Sequence, residues 1–323
     1  MLTDAIAEAF DPHHLELILL PTEQCNFRCT YCYEDFANGR MKRPIIDAIK
    51  FLLYARTDDL QSLQLSWFGG EPLLAEDIIL EINSYASALY RGKNYSSSIS
   101  TNGFYLTFDL FTALLKSGLR RFQISLDGPA RVHDKSRVTL RGNGTFNTIW
   151  QNLLATRNTK EDFTINLRLH VTEHNCESVP ELVDQIVVNF SGDTRYKIFL
   201  KEIVKLGGPN DAMITRLSSA RFSRTLDAVR SRCEGTLTVD FDDEKNPYVC
   251  YASRLNSLLI RSDGRIGKCT VALNDHDNVV GILKNDGTVN INKEKLMLWA
   301  GGLFSGNVEQ LGCPLAFKNG AAN

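Results

Sequence analysis

The chain has 323 residues, and its 36 basic and 38 acidic side chains give a net charge of −2, which gives no support to nucleic-acid binding. No apolar run reaches the roughly 18 residues of a membrane span, and the first residues include acids but no basic segment, unlike a secretory signal. We therefore expect a folded cytoplasmic protein that binds neither nucleic acid nor membrane, in a compartment where structural disulfides are rare.

Strand and helix patterns alternate from residue 14 to residue 233. Short apolar runs predict strands at His14–Leu20, Leu63–Phe68, Ser96–Ser100, Arg121–Ser125, Phe163–Val171 and Tyr196–Val204. Helical spacing of apolar residues predicts helices at Arg43–Arg56, Glu76–Tyr90, Phe108–Lys116, Phe146–Arg157, Val179–Phe190 and Ile214–Arg232. This alternation is typical of an α/β fold with a parallel sheet. Six units allow a partial (β/α)6 TIM-like barrel over residues 14–233, after an N-terminal extension of residues 1–13.

The pattern changes after Glu234. Asp263-Gly264 and Asp286-Gly287 each stand between two short apolar runs, and Asp-Gly is a strong hairpin signal. A short helix is predicted at Lys293–Ala300. We expect residues 234–323 to form a small C-terminal domain of two β-hairpins and a helix.

Polar and glycine-rich segments follow four consecutive predicted strands. They are the cysteine loop Cys25–Cys32, Gly69–Pro72, Ser100–Gly103 and Ser125–Pro129. Ligands of parallel α/β folds bind at the carboxyl ends of the strands. The four segments therefore predict one shared site.

Three of the eight cysteines are clustered near the N-terminus. Cys25, Cys29 and Cys32 have the spacing C-x3-C-x2-C. Three thiolates on one loop can hold three irons of a [4Fe–4S] cluster and leave the fourth iron open. Zinc is the alternative, but zinc sites usually contain paired C-x2-C halves. The spacing favours a cluster whose open iron binds another molecule.

With these residues, the chain resembles the radical S-adenosylmethionine enzymes over nearly all its length. Cys25, Cys29 and Cys32, with Tyr31 before the last cysteine, match the cluster motif of that superfamily, and Gly69-Gly70-Glu71-Pro72 matches its second motif. The resemblance implies S-adenosylmethionine bound to the open iron of a [4Fe–4S] cluster. It also implies a 5′-deoxyadenosyl radical that abstracts a substrate hydrogen, and an external electron donor of the flavodoxin or ferredoxin type.

The same resemblance assigns further cofactor contacts. Gly69, Gly70 and Glu71 are expected to line the methionine moiety, and Tyr31 to lie beside the adenine. Ser100, Asn102, Ser125 and Arg137 resemble positions that contact the carboxylate or the ribose hydroxyls. Asp127 is a further candidate, with turn formation before Gly128-Pro129 as its alternative role. Arg141 and Arg168 are weaker candidates that could equally be structural or surface cations.

The second half resembles a shortened SPASM motif, the Twitch domain, which implies one auxiliary [4Fe–4S] cluster in addition to the first. Cys250-x13-Gly264-x4-Cys269 matches the first half of that motif, and Cys313 is the remaining downstream cysteine. The expected ligands are Cys250, Cys269, Cys313 and Cys233. For Cys233, a hydrogen-atom donor to a substrate radical and an inert buried thiol remain alternatives.

Three further residues have less definite roles. Cys176 is expected to be structural. The six histidines show no metal-ligand spacing, and His133 and His170 are candidates for pocket residues.

SPASM and Twitch enzymes mostly modify peptides or proteins. The resemblance therefore implies a maturase of a ribosomally made peptide, with oxidative cross-linking of side chains (carbon–carbon, ether or thioether) favoured. The alternative of α-carbon epimerisation needs a thiol donor, which a free Cys233 would supply. About thirteen residues precede the first strand, so we expect no fused leader-binding domain. The leader would then be held by the barrel and Twitch surfaces, or a separate leader-binding protein would present it.

Three other functions remain open. A sulfatase-type maturase would oxidise Cys or Ser to formylglycine, but Thr270 follows Cys269 where that group has an acid, and the later cysteines are missing. A small-molecule Twitch enzyme is the second. A non-catalytic iron–sulfur scaffold is the third, and retention of the glycine-rich motif argues against it.

Overall fold

The computed structural model describes residues 2–241 and 248–320. The chain folds as two compact units. The first, here the flanking unit, comprises the described parts of Met1–Gln24, Phe36–Ser98 and Asp243–Asn323. The second, the central unit, comprises the described parts of Cys25–Asp35 and Ile99–Asp242.

Strands and helices alternate over most of the chain, as the sequence predicts. The strands are β1 His14–Leu19, β2 Phe27–Cys29, β3 Ser62–Trp67, β4 Asn94–Thr101, β5 Arg121–Leu126, β6 Arg137–Thr139, β7 Thr164–Val171, β8 Tyr196–Glu202, β9 Thr238–Phe241, β10 Ser257–Ile260, β11 Arg265–Gly267, β12 Gly281–Leu283 and β13 Val289–Ile291. The helices are α1 Leu2–Phe10, α2 Arg43–Ala55, α3 Glu76–Leu89, α4 Phe108–Lys116, α5 Ala130–Ser136, α6 Phe146–Thr156, α7 Val179–Phe190, α8 Ser219–Cys233, α9 Lys293–Ser305, α10 Val308–Gly312 and α11 Pro314–Gly320.

In the flanking unit, six strands lie in the order β13-β12-β11-β10-β1-β3. β1 is parallel to β3 and to β10, whereas β10 to β13 form antiparallel pairs. The two predicted hairpins are therefore present, and the first of them continues the parallel sheet through β1. Apolar side chains of β1 and β10, with Ile18 and Leu259 among them, form part of the core.

In the central unit, β5, β7, β8 and β9 are parallel neighbours. Alternate residues of β7, including Leu167 and Leu169, are buried, which leaves Arg168 on the opposite face beside Ser125 of β5. β2 pairs antiparallel with β6, so that Cys29 lies opposite Arg137. This small pair places the cysteine loop beside the segment that follows β5.

The chain has an α/β fold with a largely parallel sheet, which confirms the predicted fold class. Two helix boundaries were wrong, the start of α8 and the end of α9. α8 begins at Ser219 rather than at Ile214, because the Ser218 hydroxyl accepts from the Arg221 amide and caps the helix there. Helix α1 lies in the predicted N-terminal extension, and α9 continues to Ser305, where Gly306 adopts φ 71°.

The predicted domain boundary between Cys233 and Glu234 stays a prediction. The compact flanking unit includes both the beginning of the chain and its end. Residues 242–247, part of the predicted C-terminal domain, lie outside the described residues. No helix in the described part of the chain has the length and apolar character needed to cross a membrane.

Candidate functional site

The three clustered cysteines lie on one loop of the central unit, and each is half-buried. β2 ends at Cys29, and the amide of Cys32 donates to the Cys29 carbonyl at 3.1 Å, which closes a turn between them. The amide of Phe27 donates to the Cys25 sulfur at 3.4 Å. The loop therefore has a defined backbone that presents three thiols within eight residues of sequence.

Burial makes two of these thiols, those of Cys29 and Cys32, hard to ionise. It raises the pKa of Cys29 and raises that of Cys32 to about 11, although the positive charge of Arg137 acts in the opposite direction on both. A thiolate is the form that binds metal, so a bound cation must supply the charge compensation that this loop lacks. Such a loop suits an iron–sulfur cluster better than a reactive free cysteine.

Tyr31, between Cys29 and Cys32, is the centre of a buried polar network. Its hydroxyl donates to both carboxylate oxygens of Asp127 at 2.8 Å and accepts from Nη1 of Arg137 at 2.8 Å. Nδ1 of His170 lies 3.0 Å from the hydroxyl and 3.2 Å from Asp127 Oδ1. The cysteine loop is thus fixed to the ends of β5 and β7.

The charges in this network are fixed by their neighbours. Burial alone would raise the pKa of Asp127, but the hydrogen bond from His170 and the charge of Arg137 hold it well below its usual range. Burial lowers the pKa of His170 and that of His133 to about 4 each. At neutral pH the network therefore holds one carboxylate and one guanidinium, and both histidines are neutral.

The two histidines predicted as pocket residues have different positions. His170 belongs to the Tyr31 network. His133 is fully buried, and its ring accepts from the Asp127 amide at 3.3 Å and contacts Thr145 Oγ1 at 3.1 Å. His133 therefore supports the backbone under Asp127.

A cavity of about 350 Å³ lies beside the cysteine loop, within the central unit. Its lining combines polar groups of the network with apolar side chains, including Tyr31, Asp127, Ser136, Asn175, Ile203 and Ile214. This mixture suits a flat, partly polar ligand that packs on apolar side chains and forms a few hydrogen bonds.

The other predicted cofactor residues of the central unit lie at the ends of β4 and β5. Ser100 accepts from Gln123 at 3.1 Å, and Asn102 Nδ2 donates to Asn26 Oδ1 at 2.8 Å. Two buried donors here, Asn26 Nδ2 and Arg137 Nε, have no hydrogen-bond partner among the described residues. Because buried donors are rarely left unsatisfied, these two groups indicate that a ligand with acceptor atoms belongs here.

The glycine-rich segment lies in the flanking unit, and its glycines are required by close backbone packing. Gly69 has φ 118°, and a Cβ there would lie 2.3 Å from the Thr22 carbonyl oxygen. A Cβ on Gly70 would lie 2.5 Å from the Gln24 carbonyl oxygen. Glu71 is fully buried, and its amide donates to that same oxygen at 2.9 Å. The motif therefore packs directly against the backbone that precedes Cys25.

Three of the C-terminal cysteines come together in the flanking unit. The Cys250 amide donates to the Leu311 carbonyl at 2.9 Å, and the Tyr251 hydroxyl lies 2.8 Å from Thr270 Oγ1. These contacts join the segments that carry Cys250, Cys269 and Cys313. Burial, together with the neighbouring Cys269 and Cys313, raises the pKa of Cys250 to about 11.

Cys233 and Cys176 lie in the central unit. Cys233 is the last residue of α8, where burial raises its pKa to about 11 and Arg232 and Asp184 are its charged neighbours. Cys176 is buried, and its sulfur lies 3.8 Å from the Glu173 carbonyl oxygen, in keeping with the predicted structural role.

Within residues 2–241 and 248–320, no group of three or more His, Cys, Asp or Glu side chains converges as the ligands of one metal ion would. In a [4Fe–4S] cluster each thiolate binds a different iron, so its cysteines stand farther apart than the ligands of a single ion. In the described part of the chain, neither cysteine group is arranged as the ligands of one metal ion.

Sequence reasoning missed one feature of the flanking unit. Glu23 and Arg261 form an ion pair whose side chains are each only 3% exposed. Arg261 directly follows the apolar run of β10, and a charged residue at that position was an available signal that it has a buried partner.

Comparisons with known proteins show which family the chain resembles. The family model described as Radical SAM superfamily matches residues 19–186. A Cysteine-type anaerobic sulfatase-maturating enzyme from Clostridium novyi is 32% identical over 162 residues, which are 47% of this chain and 42% of that protein. The chain spans between about a third and a half of the length of the curated relatives it matches.

Two solved structures share the fold. Native anSMEcpe with bound AdoMet aligns with a TM-score of 0.64 and 17% identity, over 88% of this chain and 80% of that one. Streptococcus suis SuiB bound to S-adenosylmethionine aligns with a TM-score of 0.62 and 18% identity, over 90% and 68%. At this identity the alignments show a common fold.

Proposed function

This chain belongs to the radical S-adenosylmethionine superfamily of iron–sulfur enzymes, and we propose that it is a maturase that modifies a ribosomally made peptide or protein. The loop of Cys25, Cys29 and Cys32 would hold the [4Fe–4S] cluster that binds the cofactor. When bound, cluster and cofactor supply a 5′-deoxyadenosyl radical that abstracts a hydrogen atom from the substrate. The single observation that carries the proposal is this cysteine loop, fixed through Tyr31 to Asp127 and Arg137.

Arg137 is the proposed partner of the cofactor carboxylate. Its Nη1 is used by Tyr31, whereas its buried Nε has no partner among the described residues and is available to an acceptor. The cavity against Tyr31 is the proposed place of the adenosine, with Ser100, Asn102 and Ser125 near the ribose. Asp127 acts through Tyr31, because its oxygens accept from that hydroxyl and from Ser136.

Gly69, Gly70 and Glu71 are the proposed contacts of the methionine amino group. Close packing on the Thr22 and Gln24 carbonyls leaves no room for side chains at the two glycines, which fixes the backbone of this segment. A fixed backbone presents its carbonyl and amide groups to a ligand without an ordering cost at the time of binding.

An auxiliary [4Fe–4S] cluster is proposed on Cys250, Cys269 and Cys313. The hydrogen bonds that join their three segments support this ligand set. Cys233 is the proposed fourth ligand, and the alternative of a hydrogen-atom donor remains for it. Cross-linking of two side chains removes two hydrogens from the substrate, so a second electron must leave after the first hydrogen abstraction, and an auxiliary cluster can accept it.

Oxidative cross-linking of peptide side chains is therefore the favoured reaction. The proposed partners are a peptide or protein substrate and a flavodoxin- or ferredoxin-type electron donor, all in the cytoplasm. A separate leader-binding protein is one option, and leader binding by the surfaces of this chain is the other. The identity to the Clostridium novyi sulfatase-maturating enzyme favours formylglycine formation as a second candidate. Epimerisation through Cys233 is the remaining peptide chemistry.

The decisive experiment measures iron, sulfide and 5′-deoxyadenosine on protein reconstituted without oxygen and reduced with dithionite. We expect about eight irons per chain, falling to about four with loss of 5′-deoxyadenosine when Cys25, Cys29 and Cys32 are changed to Ala. Cys176→Ala is the matched control and should change neither quantity. Cofactor cleavage that survived the triple substitution would contradict the assignment.

The class of reaction is read from the mass of a precursor peptide after turnover. Loss of two hydrogens supports cross-linking, and an unchanged mass with deuterium incorporated from solvent supports epimerisation. Replacement of a cysteine thiol by an aldehyde oxygen supports the sulfatase-type reaction.

A further inference from the structure

A buried ion pair joins Arg261 to Glu23, whose backbone packs against the glycine-rich segment. Nε of Arg261 donates to Oε1 of Glu23 at 3.1 Å, and Nη2 donates to Oε2, so the guanidinium and the carboxylate form a two-pronged contact. Ser262 Oγ and Asn38 Nδ2 also donate to Glu23, at 3.2 and 2.9 Å. A buried carboxylate with this many donors has one fixed position.

Glu23 in turn fixes the backbone of residues 23 and 24, on which the glycine-rich segment packs. The next residue, Gln24, supplies the carbonyl that accepts from the Glu71 amide at 2.9 Å. A Cβ on Gly70 would come within 2.5 Å of the same oxygen and 2.9 Å of the Glu23 carbonyl oxygen. Any shift of the backbone at residues 23 and 24 is therefore transmitted to Gly70 and Glu71 by direct contact.

The other side of Arg261 is attached to the loop that follows Cys269. Its Nη1 donates to the Leu273 carbonyl. Asn278 holds the beginning of that loop, since its side chain accepts from the Cys269 amide at 2.9 Å and donates to the Cys269 and Ala272 carbonyls. The guanidinium of Arg261 thus joins the backbone under the glycine-rich segment to the loop that follows Cys269.

We infer that Arg261 is a positioning residue, which acts through Glu23 to hold the glycine-rich segment in its cofactor-binding form and couples it to the Cys269 loop. A guanidinium is required because it makes the forked contact to Glu23 and reaches Leu273 simultaneously. A lysine ammonium has no planar fork and cannot do both. The inference rests on the proposed function, since it assumes that the segment binds S-adenosylmethionine.

The test compares Arg261→Lys with the double variant Glu23→Gln/Arg261→Gln, which removes both charges and so leaves no unpaired buried ion. Arg265→Gln is the matched control, because Arg265 pairs with Asp263 on the same hairpin but at the surface. The first measurement is the equilibrium affinity of reconstituted protein for S-adenosylmethionine. The second is hydrogen exchange of the amides of residues 69–75.

In Arg261→Lys and in the double variant, affinity should fall at least about tenfold, because the segment is no longer held in its binding position. Exchange at residues 69–75 should increase, and iron on the Cys25 loop and the circular dichroism spectrum should not change. Arg265→Gln should match wild type. Wild-type affinity and exchange in folded Arg261→Lys would overturn the inference.

The same experiment separates this inference from the proposed function. If the wild-type protein with its cluster does not bind S-adenosylmethionine, the proposed function fails, whatever the variants do. If the wild type binds and the Arg261 variants bind equally well, only the inference fails. Coupling to the Cys269 loop predicts in addition that Arg261→Lys increases hydrogen exchange at residues 269–273.

Discussion

The Tyr31 hydroxyl lies 2.8 Å from Oδ1 of Asp127, a residue 96 positions later in the chain. Tyr31 is part of the cysteine loop, and Asp127 directly follows β5. A single hydroxyl therefore determines where the loop stands relative to the ends of the central strands. Arg137 and His170 contact the same hydroxyl, so this position is set by three elements.

The first prediction concerns this hydroxyl. Tyr31→Phe removes the donor to Asp127 and the acceptor for Arg137 and leaves both groups buried with fewer partners. The unfolding free energy should fall by about 1–3 kcal/mol, the cost of unsatisfied buried polar groups. Cofactor cleavage should fall more than cluster content, since the thiols remain.

Chemical denaturation of the apoprotein and 5′-deoxyadenosine formation by the reconstituted protein measure the two effects. Tyr105→Phe is the matched control, because the Tyr105 side chain is exposed. Equal stability of Tyr31→Phe and wild type would show that the network does not hold the loop.

The second prediction concerns pH. Burial lowers the pKa of His133 and His170 to about 4, below the unfolded value of about 6.5, so the unfolded chain binds more protons between these two pH values. Stability is therefore fully present above pH 6.5 and falls by about 1.4 kcal/mol per pH unit for each histidine as pH decreases toward 4. The depressed pKa of Asp127 adds a further loss only at lower pH, below the unfolded value of a carboxyl.

Denaturant unfolding of the apoprotein between pH 7 and pH 4 measures this slope. His133→Gln should reduce this pH dependence of the stability by the contribution of one histidine. His170→Gln should reduce the slope by a similar amount. A wild-type stability that did not change between pH 6.5 and pH 4.5 would contradict the neutral state of the buried histidines.

The sequence predicted the parallel α/β fold because buried strands and amphipathic helices have distinct periods, and most predicted elements agree with the structure within a few residues. Ser218 was not recognised as a helix cap, because Ile214 and Leu217 continue an apolar pattern up to it. Helix α1 was missed because its residues precede the first strand signal. The first error arose because a local capping bond, that of Ser218, ended the helix inside a continuing apolar pattern.

The candidate site was predicted only in part, because some of its features are local in sequence and others are not. Cysteine spacing and the glycine motif are local and can be read directly from the sequence. The partners of Tyr31 and of Glu23 lie about 96 and 238 positions away in the chain, and only the fold brings such residues together. A charged residue after an apolar run, such as Arg261, is a signal that a buried partner exists, but it does not say which residue the partner is.

The third prediction concerns the auxiliary cysteines. Cys250→Ala and Cys269→Ala should each lower iron by about four atoms per chain while reductive cleavage of the cofactor continues, because the first cluster does not depend on these ligands. Cys176→Ala is the control for a buried cysteine outside both groups. Unchanged iron in both variants would remove the auxiliary cluster from the proposed function.

Cys233→Ala then distinguishes the two roles left open for that residue. Loss of the auxiliary cluster would make Cys233 a ligand and favour oxidative cross-linking. A retained cluster would leave the thiol free and favour epimerisation, for which the variant should also stop deuterium incorporation into the peptide. Iron content with Mössbauer spectra measures the first outcome, and peptide mass spectrometry the second.

The fourth prediction concerns the close packing of the glycine-rich segment on the backbone of residues 23 and 24. A Cβ on Gly70 would lie 2.5 Å from the Gln24 carbonyl oxygen and 2.9 Å from that of Glu23, and backbone atoms cannot move away as a flexible side chain could. Gly70→Ala must therefore displace the segment. We expect cofactor affinity to fall by about tenfold or more, while the iron on the Cys25 loop is retained.

Gly39→Ala is the matched control, because a Cβ on Gly39 meets nothing within 4 Å. Equal affinity of Gly70→Ala and Gly39→Ala for S-adenosylmethionine, measured by equilibrium binding, would show that the segment does not determine cofactor binding.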